Sequence, residues 1–337
     1  MLSSFLVVAP AMLALLGIQG ATPSLADAVL YGRASVVQTL IAGGADVNQP
    51  DAGGMTPLMI AAAQGETAIA RMLIAAGADV AATTADGTTA LMSAASSNRG
   101  EVVRLLIASG ASVDAKSAGG MTALMIAAFG GYPDPVRALL EHGADPNAKN
   151  NQRRTVLMAG VTGADAAVVQ ALLGKGADFR VADAGGVVAM TYAAAAGATD
   201  AIEALLKRGA KPSGRDLMAA ATDCHAPALR LLLASGLKPN EAVDGKAPLL
   251  AAARERCVDA VTVLLDKGAD INVKDSDGRT ALIVAAAGGM LDVARVLLER
   301  GADMDVVDGL DRSAWMYASM ANREEMAALF KEAKSKK

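Results

Sequence analysis

A spacing of 33 residues governs most of this chain. The tripeptide Gly-Ala-Asp, or a close variant, returns with that step over the first six copies. The copies begin at Gly44, Gly77, Gly110, Gly143, Gly176 and Gly209, and then, after steps of 27, 32 and 33 residues, at Gly236, Gly268 and Gly301. Such regularity predicts an array of repeats, each of which buries its apolar face against its neighbours, rather than one large core.

One period, residues 51–83, contains the signals for two short helices. Thr56 is a good N-cap, and Pro57 suits the first helical position. Gly65 ends the first helix and Gly77 ends the second. Neither helix is long enough to be stable alone in water, so the pairs must stack on one another.

These motifs resemble those of the ankyrin repeat family. The family's turn-and-helix pattern appears here as Gly54-Met55-Thr56-Pro57-Leu58-Met59, and its closing pattern appears as Gly44-Ala45-Asp46-Val47-Asn48. The resemblance covers roughly residues 24–332 and implies an all-α solenoid of about ten helix-turn-helix repeats with turn or hairpin excursions. One departure is systematic. Where the family carries a polar His after the Leu, this chain has methionine or an aliphatic residue, which predicts apolar packing between repeats. The methionines are Met59, Met92, Met125 and Met158.

We predict a single array over residues 22–337, with a cap at each end. Repeat one runs from about Ser24 to Pro50, and repeat ten from Asp308 to Lys337. Repeat seven, residues 213–240, lacks most of its turn, because the spacing there falls to 27 residues. We expect this shortened repeat to open first, since stability in such arrays depends on contacts between neighbours. The remaining repeats start near Asp51, Thr84, Ser117, Asn150, Asp183, Glu241 and Asp275.

The first residues differ from the array. Residues 2–20 carry no charged side chain, and the apolar stretch from Phe5 to Ile18 has the length of a signal-peptide core rather than of a membrane span. We predict that residues 1–21 form a signal peptide or N-terminal apolar segment, and that the protein is exported to a bacterial periplasm. An uncleaved anchor and a hydrophobic cap on repeat one are the alternatives. Charged residues recur after this segment, so no later membrane span is expected.

Few residues are available for catalysis or metal binding. The net charge is -4, and the chain has two histidines and two cysteines, so neither a nucleic-acid surface nor a four-thiolate zinc site is indicated. His142 is expected to cap a helix, and the adjacent Cys224 and His225 do not by themselves place a base against a nucleophile. The recurring aspartates are expected to form turns, at a spacing of about 10 Å that is too wide to share a metal ion. We therefore predict no enzyme activity, no cofactor and no metal.

The two cysteines fall in neighbouring inter-helix turns. Cys224 takes the inter-helix glycine slot of repeat seven, and Cys257 takes the following slot of repeat eight. Equivalent atoms of adjacent repeats lie about 10 Å apart, whereas a disulfide requires Cα atoms about 4.4–6.8 Å apart. The one-residue offset and the shortened repeat could close that gap. Two alternatives stay open: a disulfide that cross-links repeats seven and eight, or two unpaired thiols packed as small apolar groups.

The expected binding surface follows the residue before each helix-capping slot, which we predict to lie at a turn tip. This stripe is largely apolar in the first repeats and basic in the last ones, and the end of one first helix adds an aromatic pair. The candidate partner-binding residues are Met55, Thr88, Met121, Phe129, Tyr132, Arg154, Lys246, Arg279 and Arg312. A partner that fits this stripe is a protein with an apolar patch beside an acidic one.

The resemblance implies a non-enzymatic scaffold, expected to be monomeric, that binds a protein through turn tips and the first-helix face. Two alternatives use the same repeats differently. The chain could be the dedicated auxiliary or protective partner of a secreted enzyme or toxin, or an effector directed to a host. Genomic neighbourhood would distinguish the first alternative, and the secretion route would distinguish the second.

Overall fold

A computed structural model describes residues 24–321 and 323–335. Within these residues it contains twenty α-helices in ten consecutive pairs, and the only β pairing described is a set of single antiparallel pairings beside the turns. The expected all-α repeat architecture of about ten helix-turn-helix units is thereby confirmed. The predicted signal peptide or apolar segment, residues 1–21, lies outside the described residues.

The N-terminal unit spans Met1–Asp178 and contributes five described helix pairs. Each pair consists of a first helix, an inter-helix turn and a second helix. The helices are α1 Leu25–Leu30, α2 Ala34–Ala42, α3 Pro57–Gln64, α4 Thr67–Ala75, α5 Ala90–Ser96, α6 Gly100–Ala108, α7 Ala123–Phe129, α8 Pro133–Glu141, α9 Val156–Thr162 and α10 Ala166–Gly174.

The C-terminal unit spans Phe179–Lys337 and contributes five more pairs in its described part. The helices are α11 Ala189–Ala195, α12 Thr199–Lys207, α13 Gly214–Thr222, α14 Ala226–Ala234, α15 Pro248–Arg254, α16 Val258–Asp266, α17 Ala281–Gly288, α18 Leu291–Glu299, α19 Ala314–Met320 and α20 Glu324–Ser335. Among the residues that the structure describes, no helix combines the length and the apolar character needed to cross a membrane.

The first helices begin at a capping threonine in five of the ten repeats. Thr56 accepts a hydrogen bond from the Met59 N–H over 3.3 Å, and Pro57 occupies the first turn, where no N–H partner is lost. Gly65 ends α3 in the left-handed conformation, with φ 81°. An N-cap of this kind stabilises a helix by about 1 kcal/mol. The same threonine cap recurs at Thr89, Thr122, Thr155 and Thr280.

The recurring Gly-Ala-Asp-Val-Asn motif links one repeat to the next. Asp46 Oδ1 accepts from the Asn48 N–H over 2.9 Å and so closes the turn. The Asn48 side chain then donates to Gly77 O over 3.3 Å and accepts from the Asp79 N–H over 2.7 Å. The same pair of bonds recurs at Asn147 and at Asn240, so this asparagine ladder fixes the distance to the next motif copy where the motif carries Asn.

Within each unit, the core lies between the two helices of each repeat and between successive repeats. Leu58, Ile69 and Leu73 of repeat two are each no more than 1% exposed. The methionines that replace the family's histidine are equally buried, at no more than 1% exposure. The expectation that this slot packs apolar side chains is confirmed. These methionines are Met59, Met92, Met125 and Met158.

Repeat seven joins its neighbours through side chains instead of a turn. Helix α13 starts directly after Ser213, which with Asp216 forms a reciprocal capping box. The Asp216 carboxylate is buried, with the residue 1% exposed, and accepts from the Ser213 N–H over 2.7 Å and from Thr191 Oγ1 over 2.5 Å. Arg215 Nη1 donates to Gly186 O over 3.4 Å. Helix α13 is therefore tied to α11 and to the preceding turn by two side chains.

Candidate functional site

The residue before each capping slot lies at the base of its turn. Met55 accepts at its carbonyl from the Asp51 N–H over 2.9 Å and donates its own N–H to Asp51 Oδ1 over 2.9 Å. Residues 52–54, enclosed between these partners, form the tip. The expectation of a turn tip is therefore corrected, because the closing hydrogen bonds hold the predicted residue where the turn meets the first helix. The equivalent carbonyls that accept in this way belong to Thr88, Met121, Arg154, Lys246, Arg279 and Arg312.

Three candidates of the N-terminal unit are half-buried at the turn bases: Met55, Thr88 and Met121. The Asn150 side-chain amide of the next turn approaches Met121 Sδ to 3.6 Å. Thr88 donates its hydroxyl to Asp86 Oδ2 over 3.1 Å. Hydroxyl donation to this carboxylate, from Thr84 first and then Thr88, holds the pKa of Asp86 below its ordinary value. The two methionines present thioether surface, whereas the polar group of Thr88 is already used.

Phe129 is the most accessible apolar candidate of this unit, at 61% exposure at the end of α7. Tyr132, the residue before α8, is half-buried, and its ring lies so close to Gly130 that a Cβ there would collide with it. The tyrosine ring is thus held by the backbone, and Phe129 projects without such a support. The corresponding residues of the adjacent first helices are small or polar: Ala63, Ser96 and Thr162.

Arg279 of the C-terminal unit is already paired with carboxylates of its own turn. Its Nε lies 3.1 Å from Asp275 Oδ2, and its Nη2 lies 2.5 Å from Asp277 Oδ2. Arg254 Nη2, from the preceding first helix, reaches the same Asp275 oxygen over 2.5 Å. Burial raises the pKa of Asp275, but hydrogen bonds from Arg279 and the Asp277 N–H, with the guanidinium charge, outweigh it and lower the pKa. Much of the positive charge predicted at Arg279 is therefore neutralised.

Arg312 stacks on an aromatic ring, with its guanidinium carbon 5.9 Å from the centre of Tyr317. The Tyr317 hydroxyl donates to Asp308 Oδ2 over 2.6 Å. This bond lowers the pKa of Asp308 and raises that of Tyr317. Lys246 and Arg154 are exposed at their turn bases. The basic candidates thus differ in accessibility, which their common slot in the sequence does not indicate.

The cysteines are joined by a disulfide, with Cα atoms 5.0 Å apart. Cys224 is exposed and adopts a left-handed backbone with φ 64°, the conformation that the family's glycine supplies at this slot. Cys257, the residue before α16, is 5% exposed. Successive inter-helix turns approach each other here at about half of the helix-packing distance of about 10 Å.

The described residues hold no group of three or more His, Cys, Asp and Glu side chains placed to bind a metal ion. His142 is the C-cap residue of α8, and its Nδ1 lies 2.7 Å from Ala138 O. The aspartates Asp79, Asp145, Asp270 and Asp303 of the recurring motif accept from the N–H two residues ahead, as Asp46 does, and so close turns. The remaining member of the set, Asp178, donates its N–H to Asn147 Oδ1 over 2.8 Å.

The apolar face of repeat ten was missed in the sequence analysis. Trp315 and Met316 occupy the slots of the buried Leu and Met of earlier repeats, yet they are 37% and 47% exposed. Leu310 and Met320 are each 66% exposed, and Trp315 meets Phe330 edge to face at 6.2 Å. The sequence did contain an indication of this face. A terminal repeat ordinarily has a polar outer face, whereas these side chains are apolar.

A family model that describes three successive ankyrin repeats matches five ranges of the chain, residues 25–117, 77–150, 124–216, 192–275 and 272–337. These overlapping matches extend over nearly the whole chain, which therefore belongs to the ankyrin repeat family. Ankyrin repeats are in general modules of protein–protein interaction and typically act as non-enzymatic scaffolds. A comparison with curated proteins gave no match.

Proposed function

We propose that this chain is a non-enzymatic scaffold that binds a protein partner through an apolar surface of its N-terminal unit. This surface, called here the methionine–aromatic surface, consists of Met55, Met121, Phe129 and Tyr132. The observation that carries the proposal is the 61% exposure of Phe129. Burial of such a ring at an interface contributes about 2 kcal/mol.

The remaining members suit adaptable contact. Met55 and Met121 are half-buried at the bases of their turns, so their thioethers are presented on an ordered backbone. Methionine is flexible and polarisable and fits irregular apolar surfaces. Tyr132 offers an aromatic ring that is already ordered against Gly130, so little side-chain entropy is lost on binding. The partner would therefore present an apolar patch.

The basic residues of the C-terminal unit support a weaker, electrostatic contribution. Arg279 is paired with Asp275 and Asp277, and a partner carboxylate would have to compete with them. Lys246 is exposed and is the better candidate to meet an acidic group. Rim charges of this kind act mainly on the association rate and on its salt dependence.

The test begins with affinity capture from the native envelope fraction and identification of the partner by mass spectrometry. Binding of the purified partner is then compared between the wild type, Phe129→Ser and Leu310→Ser. Leu310 is a matched control because it is also strongly exposed and apolar, at 66%, but lies in repeat ten. We expect Phe129→Ser to weaken binding by about thirtyfold, as for an interface anchor, and Leu310→Ser to leave it unchanged.

A triple variant with Met55, Met121 and Tyr132 replaced by polar residues extends this test to the whole surface. We expect it to abolish capture with little change in melting temperature. Undiminished capture by folded forms of both the Phe129→Ser and the triple variant would show that the partner binds elsewhere.

A further inference from the structure

The two cysteines of the disulfide between repeats seven and eight differ in their exposure to solvent. Cys224 is exposed on the turn between α13 and α14, whereas Cys257 is 5% exposed. In thiol–disulfide exchange a thiolate must reach one sulfur while the other departs. Access therefore selects Cys224 as the attacked residue and Cys257 as the leaving group.

The location of the disulfide links its oxidation state to the contact between repeats seven and eight. It closes a segment of 33 residues and joins the repeat that lacks a turn to the repeat that follows it. The backbone of Cys224 is left-handed, with φ 64°, in a slot where glycine is favoured. After cleavage no covalent link holds Cys224 in this conformation. The inter-helix turn of repeat seven would then keep its hydrogen bonds and the packing of Ala226 but lose its covalent restraint.

We propose that Cys224–Cys257 is an exchange site for an external dithiol, and that its reduction loosens the contact between repeats seven and eight. The reductant's thiolate attacks Cys224 Sγ, the Sγ–Sγ bond breaks, and Cys257 leaves as a thiolate that takes up a proton. The second thiol of the reductant then attacks the mixed disulfide and releases Cys224. The reductant is oxidised to its own disulfide, and the two cysteines gain two electrons and two protons.

The first step is tested on the wild-type full chain with reduced glutathione, a monothiol that traps the mixed disulfide. The reaction is quenched with N-ethylmaleimide, and the peptides are mapped by mass spectrometry. We expect glutathione on Cys224 and maleimide on Cys257, at about tenfold excess over the reverse arrangement. Equal amounts, the reverse arrangement, or two thiols already free before glutathione is added would overturn the proposal.

The consequence is tested by amide hydrogen exchange of the wild type with and without dithiothreitol. Faster exchange confined to α13–α16 supports the proposal, with α3–α6 of the N-terminal unit as the internal reference. Unchanged protection of α13–α16 after complete reduction, verified by intact mass, would contradict the second part of the proposal. The Cys224→Gly variant checks the same point without a reductant, because glycine suits the left-handed backbone and cannot form the bridge.

Discussion

Repeat four of the N-terminal unit and repeat seven of the C-terminal unit connect to their neighbours by different means. In repeat four the turn is bonded to the turns of both neighbouring repeats through the backbone. The Ala118 N–H donates to Asp86 O over 2.8 Å, and the Asn151 N–H donates to Gly119 O over 3.1 Å. Repeat seven has no such turn and relies on the Asp216 carboxylate and a disulfide. Backbone links survive most substitutions, whereas side-chain links each depend on one residue.

The largest expected effect comes from the methionine slot, which differs between the two repeats. Met125 of repeat four is 1% exposed, whereas Met218 of repeat seven is half-buried. We expect Met125→Ala to lower the free energy of unfolding by about 4 kcal/mol, because it leaves a cavity. Met218→Ala should cost about 1 kcal/mol, since less apolar area is lost. Urea unfolding measures both, and equal losses would contradict the difference in packing.

Removal of the Asp216 carboxylate is expected to destabilise repeat seven. Asp216→Ala leaves the buried Thr191 hydroxyl without its acceptor and removes the bond from the Ser213 N–H, which together cost about 3 kcal/mol. Ser117→Ala, at the start of the turn in repeat four, is the matched control. Ser117 Oγ accepts only from the Met121 N–H, over 3.2 Å, so a loss near 1 kcal/mol is expected. Should the two variants unfold at the same urea concentration, repeat seven does not depend on this carboxylate.

Removal of the disulfide is expected to cost less when glycine replaces Cys224. Closing a loop of 33 residues stabilises the fold, by about 4 kcal/mol in the chain-entropy model. Cys224→Gly loses this stabilisation but relieves about 1 kcal/mol of left-handed strain, for a net loss near 3 kcal/mol. Cys257→Ser loses the bridge without relief and should be the less stable variant. Thermal unfolding of the two variants under identical conditions tests this order, and the reverse order would refute it.

The smallest expected effect is on the free energy of unfolding at acidic pH. The pKa of Asp275 is lowered in the folded chain from an ordinary value of 3.8. The ionised form is therefore favoured by folding, and its contribution is present above pH 3.8 and is lost as the pH falls through the lowered pKa. We expect the stability advantage of the wild type over Asp275→Asn to be constant at neutral pH and to shrink below pH 3.8. Chemical unfolding across this range measures it; an advantage that grows in acid would contradict the assigned direction.

The regular features of the fold were predictable from the sequence because they repeat. The threonine caps, the left-handed glycines and the buried methionine slot each recur in register, so one example such as Thr56 or Met59 predicts the others. The position of Met55 was not predictable in the same way. Whether a residue lies at a tip or at a base depends on which backbone groups close the turn, here Asp51 with Met55, and the sequence does not state this pairing.

The details of the candidate site depend on contacts that a repeat pattern does not encode. Arg279 and Lys246 share a slot, but only Arg279 has Asp275 and Asp277 within reach of its guanidinium. The cysteines were expected to require closure of a gap of about 10 Å, and the structure places their Cα atoms 5.0 Å apart. The exposure of Trp315 follows from its position in the tenth repeat, where the core slot is not covered by a further described helix pair.

The asparagine ladder limits how the number and the length of the repeats can change by mutation. A duplicated segment of 33 residues that includes a motif such as Gly44–Asn48 carries its own Asn and its own Gly-Ala-Asp, so the new copy contains both partners of the link between repeats. In repeat seven the link to the following repeat is present, since Asn240 accepts from the Asp270 N–H over 2.8 Å across the turn of repeat eight. At the start of repeat seven, where the turn is missing, Ser213 occupies the slot of Asn48 and caps α13 instead. A change of spacing between Asn48 and Asp79 would leave both without a counterpart, and where the turn is lost, before α13, the connection depends on other side chains.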